Sequence, residues 1–107
     1  MQTFFGSIFI KRETLKEAGI IYPIKLEYYK IINEDQLVKG KEPKYGIKVI
    51  KTEYLKTKTK TEDETIKYLS NNEEKVNEVL EVLKDNEVTP ICVQDVICDF
   101  SKKAFLL

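Results

Sequence analysis

The segment Asn86-Glu-Val-Thr-Pro-Ile-Cys-Val-Gln-Asp-Val-Ile-Cys-Asp-Phe100 decides the C-terminal half of the fold. Thr89 is a residue type that caps helices, and Pro90 fits the first helical position, where its missing N–H costs nothing. Val88 before the cap and Val93 four positions beyond it match a hydrophobic staple. The segment therefore predicts a helix that begins at Pro90.

The residues that follow form one apolar stripe at helical spacing, with polar residues turned away from it. The stripe contains Val93, Val96, Ile97, Phe100 and Ala104. The residues turned away are Gln94, Asp95, Asp99, Lys102 and Lys103. Val93, Val96, Ile97 and Phe100 are expected to be buried, which leaves Gln94, Asp95 and Asp99 without a structural role.

A second amphipathic helix is predicted immediately upstream. Ser70 and Glu73 match a capping box. In this motif the Ser70 hydroxyl accepts from the backbone N–H of residue 73, and the Glu73 carboxylate accepts from the backbone N–H of residue 70. The apolar positions that follow are Val76, Val79, Leu80 and Leu83. Asn86 closes this helix and can adopt the left-handed conformation. The short linker predicts a helical hairpin whose apolar stripes face a sheet.

The first seventy residues are typical of strands. Strand patterns cover residues 1–10, Ile20–Ile32, Tyr45–Leu55, and about Lys58–Tyr68. The second of these strands should start after Pro23 or run along a sheet edge there, because proline lacks a ladder donor. A hairpin turn is expected between Tyr54 and Asp63. A short helix is compatible with Lys11–Ala18, and Gly19 can end it.

These elements predict an α+β fold, with an antiparallel sheet of three to four strands packed against a C-terminal two-helix hairpin. At 107 residues the chain is long enough for one domain with its own core. The expected domain covers residues 1–107. Within it, residues 1–20 form an extra strand or short helix, 21–69 a strand meander and 70–107 the helical hairpin.

The net charge is zero, but the two signs are distributed unevenly. Residues 1–60 carry 13 Lys/Arg against 7 Asp/Glu, a balance of +6, and residues 61–107 carry 5 against 11, a balance of −6. Ordinary solvated faces of a sheet half and a helix half account for this division. The alternative is a dipolar molecule with a basic sheet face and an acidic helical face.

Two sets of residues resemble a known family. They are Tyr45-Gly46-Ile47-x-Val49 in a strand, and Asn86-Glu-Val-Thr-Pro with the following Asp95-Val-Ile-x-Asp-Phe100. Together with Ser70 and the helix after it, they resemble a family of small clostridial-type bacterial proteins classed as a domain of unknown function. The resemblance covers roughly residues 22–100, and the first 20 residues lie outside it. It implies a cytosolic bacterial protein and an order of strands followed by helices.

The composition excludes the commonest catalytic and cofactor chemistry. The chain has no histidine, so it lacks the most frequent general base and metal ligand. Its glycines are isolated, and no phosphate-binding loop is present. Cys92 and Cys98 point in different directions on the predicted helix and are expected to be buried or partly buried thiols of a reducing cytoplasm. We predict no enzymatic activity, no catalytic or metal site and no cofactor.

Asp95 and Asp99 lie four residues apart on one helical face, a spacing that could hold a divalent cation or work as an acid pair, although solvated carboxylates are the simpler explanation. The prediction is a non-enzymatic cytoplasmic protein-interaction or regulatory module that does not enter membranes. Its contact surface is the face of Gln94, Asp95 and Asp99 or a free sheet edge, which could also form a homo-oligomer.

A second hypothesis is binding of single-stranded nucleic acid on a basic sheet face with stacking aromatic rings. The residues available for such a face are Lys48, Lys51, Lys56, Lys58 and Lys60, with Tyr28, Tyr29, Tyr45 and Tyr54. The competing explanation is that the tyrosines pack against the helices while the lysines keep the sheet soluble.

Overall fold

The structure, a computed structural model, describes residues 1–11, 22–33 and 44–106, with side chains described as far as residue 99. The strands are β1 (Gln2–Ile10), β2 (Ile24–Ile32), β3 (Tyr45–Tyr54) and β4 (Thr59–Ser70). Helix α1 (Glu73–Asp85), a 3-10 turn (Pro90–Cys92) and helix α2 (Val93–Leu106) follow. The predicted helix at Lys11–Ala18 lies outside the described residues, apart from Lys11.

The four strands form one antiparallel meander in the order β1-β2-β3-β4. Alternation along β2 sets its two faces, because successive side chains of a strand point in opposite directions. Leu26 and Tyr28 are fully buried on the helix side, whereas Lys25 and Glu27 point to the other side and are only partly buried. The predicted α+β architecture is confirmed, with four strands.

Helix α1 packs across all four strands, and α2 packs against α1. The 3-10 turn at Pro90–Cys92 contacts β3 and β4. The buried core consists of Ile10, Ile24, Leu26, Tyr28, Ile47, Val49, Val76, Val79, Leu80, Leu83, Val88, Val93 and Ile97. This set includes every apolar residue predicted for α1, together with Val88, Val93 and Ile97 of the C-terminal segment. The side chains of Phe100 and Ala104 lie outside those described.

The hairpin between β3 and β4 turns within the predicted interval. Tyr54 pairs with Thr59, and the backbone N–H of Leu55 donates to the carbonyl of Lys58 at 2.9 Å. At the other end of this strand pair the register shifts between Tyr45 and Ile47. Gly46 lies in that irregularity, so close to β4 that a Cβ atom there would overlap backbone atoms.

The predicted capping box at Ser70 is wrong. Ser70 is the last residue of β4, and Asn72 caps α1 instead. The Asn72 Oδ1 accepts from the N–H groups of Glu74 and Lys75 at 3.0 and 3.3 Å. The Ser70 hydroxyl accepts from the Asn72 N–H at 3.0 Å and so supports the cap from two residues earlier in the chain.

The left-handed residue after α1 is Glu87, with φ of 51°, and not the predicted Asn86, whose φ is −99°. The Val88 N–H donates to the Leu83 carbonyl at 2.9 Å, and the Glu87 N–H donates to the Lys84 carbonyl at 3.1 Å. These two bonds and the burial of Val88 and Leu83 make a Schellman ending. Helix α1 therefore ends one residue later than the sequence indicated.

A 3-10 turn begins at Pro90, where the helix was predicted to begin, and helix α2 itself begins three residues later, at Val93. Pro90 is the first residue of that turn, and the Thr89 side chain makes no capping hydrogen bond. The Cys92 N–H donates to the Thr89 carbonyl at 3.0 Å. Thr89 therefore acts through its extended backbone and not through its hydroxyl.

Candidate functional site

The predicted partner-binding residues Gln94, Asp95 and Asp99 are all exposed on α2. We call these three residues the α2 acidic face. Ile91, one turn earlier, is 84% exposed. The fold therefore leaves this face accessible, with an exposed apolar side chain at its N-terminal end.

Cys92 and Cys98 are exposed free thiols, which corrects the expectation that they would be buried or partly buried. Cys92 is the last residue of the 3-10 turn, and Cys98 lies on α2 away from the stripe of Val93, Val96 and Ile97 that faces the core. The two thiols form no disulfide with each other.

The lysines and tyrosines of the nucleic-acid hypothesis do not lie on one face. Lys48 lies on the sheet face away from the helices, Lys51 and Lys60 on the helix side, and Lys56 and Lys58 in the β3–β4 turn. Three of these lysines lie near carboxylates, in the pairs Lys48–Asp63 at 3.7 Å, Lys51–Glu53 at 3.7 Å and Lys60–Glu62 at 3.9 Å. Tyr28 is buried under the helices. The residues predicted to form one basic face therefore lie on both faces of the sheet and in the β3–β4 turn.

The two outer strands of the sheet differ in how well they are protected against pairing. β4 carries charges at Lys60, Glu62, Asp63, Glu64 and Lys67, whereas β1, with the sequence Gln-Thr-Phe-Phe-Gly-Ser-Ile-Phe-Ile, carries none. Charged side chains are a common way to keep an edge strand from pairing with another chain. Among residues 1–11, 22–33 and 44–106, no strand pairs with the outer side of β1.

Backbone hydrogen bonding identifies which groups of β1 point outward. Met1 and Ile32 exchange two backbone bonds, at 2.7 and 2.9 Å. Because bonded pairs alternate along an antiparallel ladder, β2 residues with even numbers bond to β1. Ser7 and Phe9 pair with the odd-numbered Glu27 and Lys25. Their N–H and C=O groups therefore point away from β2 and are available to another strand.

A shallow depression of about 670 Å³ lies beside β1 on the helix side. We call it the β1 groove; it is lined by Phe5, Lys30, Glu74, Asn77, Glu78 and Glu81. Lys30 is engaged within it, because its Nζ donates to Glu73 at 2.7 Å and lies 3.4 Å from the Asn77 amide oxygen. The three exposed glutamates Glu74, Glu78 and Glu81 give the groove an acidic wall.

The opposite face of the sheet carries two aromatic pairs. Phe4 and Tyr29 meet edge to face with ring centroids 5.6 Å apart, and Phe9 and Tyr54 lie 6.0 Å apart. Phe4 and Phe9 are 55% and 56% exposed. The Tyr29 hydroxyl donates to Glu27 at 2.7 Å, and this bond, with some burial and the Glu27 charge, raises the pKa of Tyr29.

Within the described part of the chain, no group of three or more His, Cys, Asp or Glu residues is arranged to hold a metal ion. In that same part, no helix has the length and apolar character needed to cross a membrane. The described side chains also include no buried polar atom without a hydrogen-bond partner.

Sequence reasoning missed the β1 groove, although its signals were present. Glu74, Glu78 and Glu81 recur at helical spacing, and β1 carries no charge, unlike the other three strands of the described residues. What the sequence could not supply was the order of strands in the sheet, which brings β1 to the edge beside α1. Because of the irregularity between Phe4 and Gly6, simple alternation along β1 does not give the sheet face on which each phenylalanine ring lies.

The chain belongs to the family described as "Family of unknown function (DUF6514)", whose model matches residues 7–103. The match confirms the resemblance to a family of unknown function and extends it from residue 22 back to residue 7, so that the C-terminal part of β1, residues 7–10, is included. Comparisons with curated proteins and with solved structures gave no match.

Proposed function

We propose that this protein is a non-enzymatic protein-interaction module of the bacterial cytoplasm that adds an extended segment of its partner to the β1 edge. The uncharged edge strand beside the β1 groove is the observation that supports this proposal. The outward N–H and C=O groups of Ser7 and Phe9 can bond to a partner strand, as in other cases of strand addition.

The surroundings of β1 define the chemistry of the partner segment. Side chains of an added strand alternate between the two sheet faces. On the helix side they would meet Glu74, Glu78 and Glu81, which favour lysine or arginine. On the other side they would lie next to Phe4 and Phe9, which favour apolar residues. The partner segment is therefore extended, with basic and apolar residues in alternation.

Fluorescence anisotropy with a labelled peptide of about ten residues, alternating Lys and Val, tests this proposal. The full chain is expected to bind this peptide, and to bind a scrambled peptide of the same composition more weakly. Ser7→Pro should abolish binding, because proline removes an outward N–H while leaving the bonds from β1 to β2 in place. Ser7→Thr, which keeps that N–H, is the matched control and should bind like the wild type.

The peptide's basic side chains are tested separately from its backbone. Glu74→Lys together with Glu78→Lys should weaken binding of the Lys-Val peptide and strengthen binding of a Glu-Val peptide. Both effects should decrease as salt is added, because exposed charges are screened. Equal binding of the Lys-Val peptide by wild type and Ser7→Pro would contradict strand addition at β1.

The α2 acidic face is the second proposed contact surface. Gln94, Asp95 and Asp99 are exposed together and could bind a basic surface of a folded partner. In the same peptide assay, Asp95→Lys with Asp99→Lys should leave binding unchanged if β1 is the site. If this variant lost peptide binding while Ser7→Pro still bound the peptide, the binding site would lie on α2 and not on β1.

Binding of single-stranded nucleic acid remains the alternative function. Its support is the presence of Tyr29, Tyr54 and Lys48 on the sheet face away from the helices. A titration with mixed single-stranded oligonucleotides at increasing salt tests it. Tight binding that weakens steeply with salt, and that is lost in Lys48→Glu, would favour this alternative over the protein-interaction module.

A further inference from the structure

The face of the sheet opposite the helices carries an apolar surface that a solvated sheet face does not need. Antiparallel sheets with one face in water usually place polar residues there. On this face, which we call the open face, the apolar side chains are Phe4, Phe9, Tyr29, Ile31, Ile50 and Tyr54. Within the described ranges, no helix covers it.

The charges of the open face are balanced. Among the residues paired in regular register, it carries two lysines, Lys25 and Lys48, and two carboxylates, Glu27 and Asp63. Each lysine lies near a carboxylate of the same face, with Lys25 and Glu27 4.0 Å apart and Lys48 and Asp63 3.7 Å apart. A surface without net charge does not repel a copy of itself, and alternating signs can pair across a two-fold axis.

The open face is large enough for a specific contact between two copies. Four strands of about nine residues, about 4.8 Å apart with a rise of about 3.3 Å per residue, cover roughly 570 Å². Two such faces together cover roughly 1,100 Å², which meets the approximate lower limit of about 1,000 Å² for a biological interface.

From the apolar character, the charge balance and the area of the open face, we infer that it binds a second copy of this chain. The two sheets would pack face to face, as in a β-sandwich, with one helical layer on each outer side. The aromatic pairs and Ile50 would form the apolar centre, and the ion pairs would lie around them. The dimer would share the Phe4 and Phe9 side chains with the proposed strand-addition site, but it would leave the outward backbone groups of Ser7 and Phe9 free.

Sedimentation equilibrium of the full chain over a range of concentrations tests this inference. A reversible monomer–dimer equilibrium is expected. Ile50→Lys should raise the dimer dissociation constant at least about tenfold, because it places a charge at the centre of the interface. In the monomer this lysine is tolerated, since residue 50 pairs with Glu27 and Asp63 on the neighbouring strands.

Three further variants keep the inference falsifiable. Ile91→Lys makes the same change on the helical layer, where residue 91 is 84% exposed, and should leave the dimer intact. Phe9→Lys should weaken the dimer even if Ile50→Lys fails to fold, because Phe9 is 56% exposed. A wild type that is monomeric at every concentration would overturn the inference. So would a dimer that Ser7→Pro abolishes and Ile50→Lys does not, because that dimer would form through the β1 edge.

Discussion

Tyr28 joins the sheet to the connection between the two helices through one buried hydrogen bond. Its side chain is fully buried, and its hydroxyl donates to the Val88 carbonyl at 2.9 Å. Tyr28→Phe keeps the ring but leaves that carbonyl without its partner. We expect a loss of about 1–3 kcal/mol in the free energy of unfolding, measured by urea denaturation. Tyr29→Phe, which removes a partly buried bond to Glu27, is the comparison and should cost less.

The burial of Tyr28 also makes the free energy of unfolding depend on pH in the alkaline range. Burial, and secondarily the charge of Glu87, raise the pKa of Tyr28 above its ordinary value of 10.0. The folded state therefore favours the neutral phenol. The stability that neutral Tyr28 contributes is fully present below the pKa of this tyrosine in the unfolded chain. It is lost as the pH rises from that value through the higher pKa of the folded state. Between about pH 9 and about pH 11, the wild type should lose more stability than Tyr28→Phe does. Parallel pH profiles for the two proteins would contradict this assignment.

Glu87 occupies a left-handed conformation that glycine adopts more easily. Its φ is 51°, and it completes the Schellman ending of α1. The left-handed region costs a residue with a Cβ about 1–2 kcal/mol, which exceeds the chain entropy that glycine adds to the unfolded state. Glu87→Gly should therefore raise the free energy of unfolding by about 0.5–1 kcal/mol. Glu87→Gln removes the charge without relieving the backbone, and thermal denaturation should show no such gain.

These residues show what sequence reasoning could not decide at the residue scale. Ser70 and Asn72 are both residue types that cap the start of a helix, and Asn86 is a residue type that often ends one. Residue type alone therefore could not decide between neighbouring positions for either cap. The choice was made by β4, which continues to Ser70, and by the burial of Val88 one residue after Glu87. Both are tertiary constraints.

At the scale of elements, β3 and β4 approach each other closely at Gly46. A Cβ atom at this position would overlap the carbonyl oxygens of Ile66 and Lys67, which are backbone atoms that cannot move aside independently. Gly46→Ala should destabilise the protein by at least about 1–3 kcal/mol, measured by urea denaturation. Gly6→Ala is the matched control, because its Cβ would meet only the flexible Lys84 side chain, at 2.9 Å. Equal losses in the two variants would contradict this account of Gly46.

Periodicity predicted the strands and helices well, because each element buries one side of a regular pattern. Ile24, Leu26 and Tyr28 alternate along β2, and Val76, Val79, Leu80 and Leu83 recur along α1. The two register shifts, at Phe4/Gly6 and Tyr45/Ile47, interrupt such patterns, and the glycine at each shift marks a bulge without fixing the register. For the candidate site, the exposure of Gln94, Asp95 and Asp99 could be predicted, whereas the β1 groove required the strand order.

At the scale of the whole molecule, one core connects the sheet, α1 and the start of α2. Leu80 is fully buried in that core together with Leu26 of β2 and Val93 of α2. Leu80→Ala should therefore lower the free energy of unfolding by about 2–5 kcal/mol. Because the layers share this core, transitions followed by far-UV circular dichroism and by tyrosine fluorescence should shift together.

Val82→Ala on the same helix is the control for this last prediction. Val82 is 36% exposed, so its truncation removes little buried surface and should cost clearly less than Leu80→Ala. Both variants should be compared at one protein concentration, because a dimer would make stability concentration-dependent. Separate midpoints for circular dichroism and fluorescence in Leu80→Ala would show that the helices and the sheet unfold independently. In that case the buried bond from Tyr28 to Val88 would not be enough to couple the two layers.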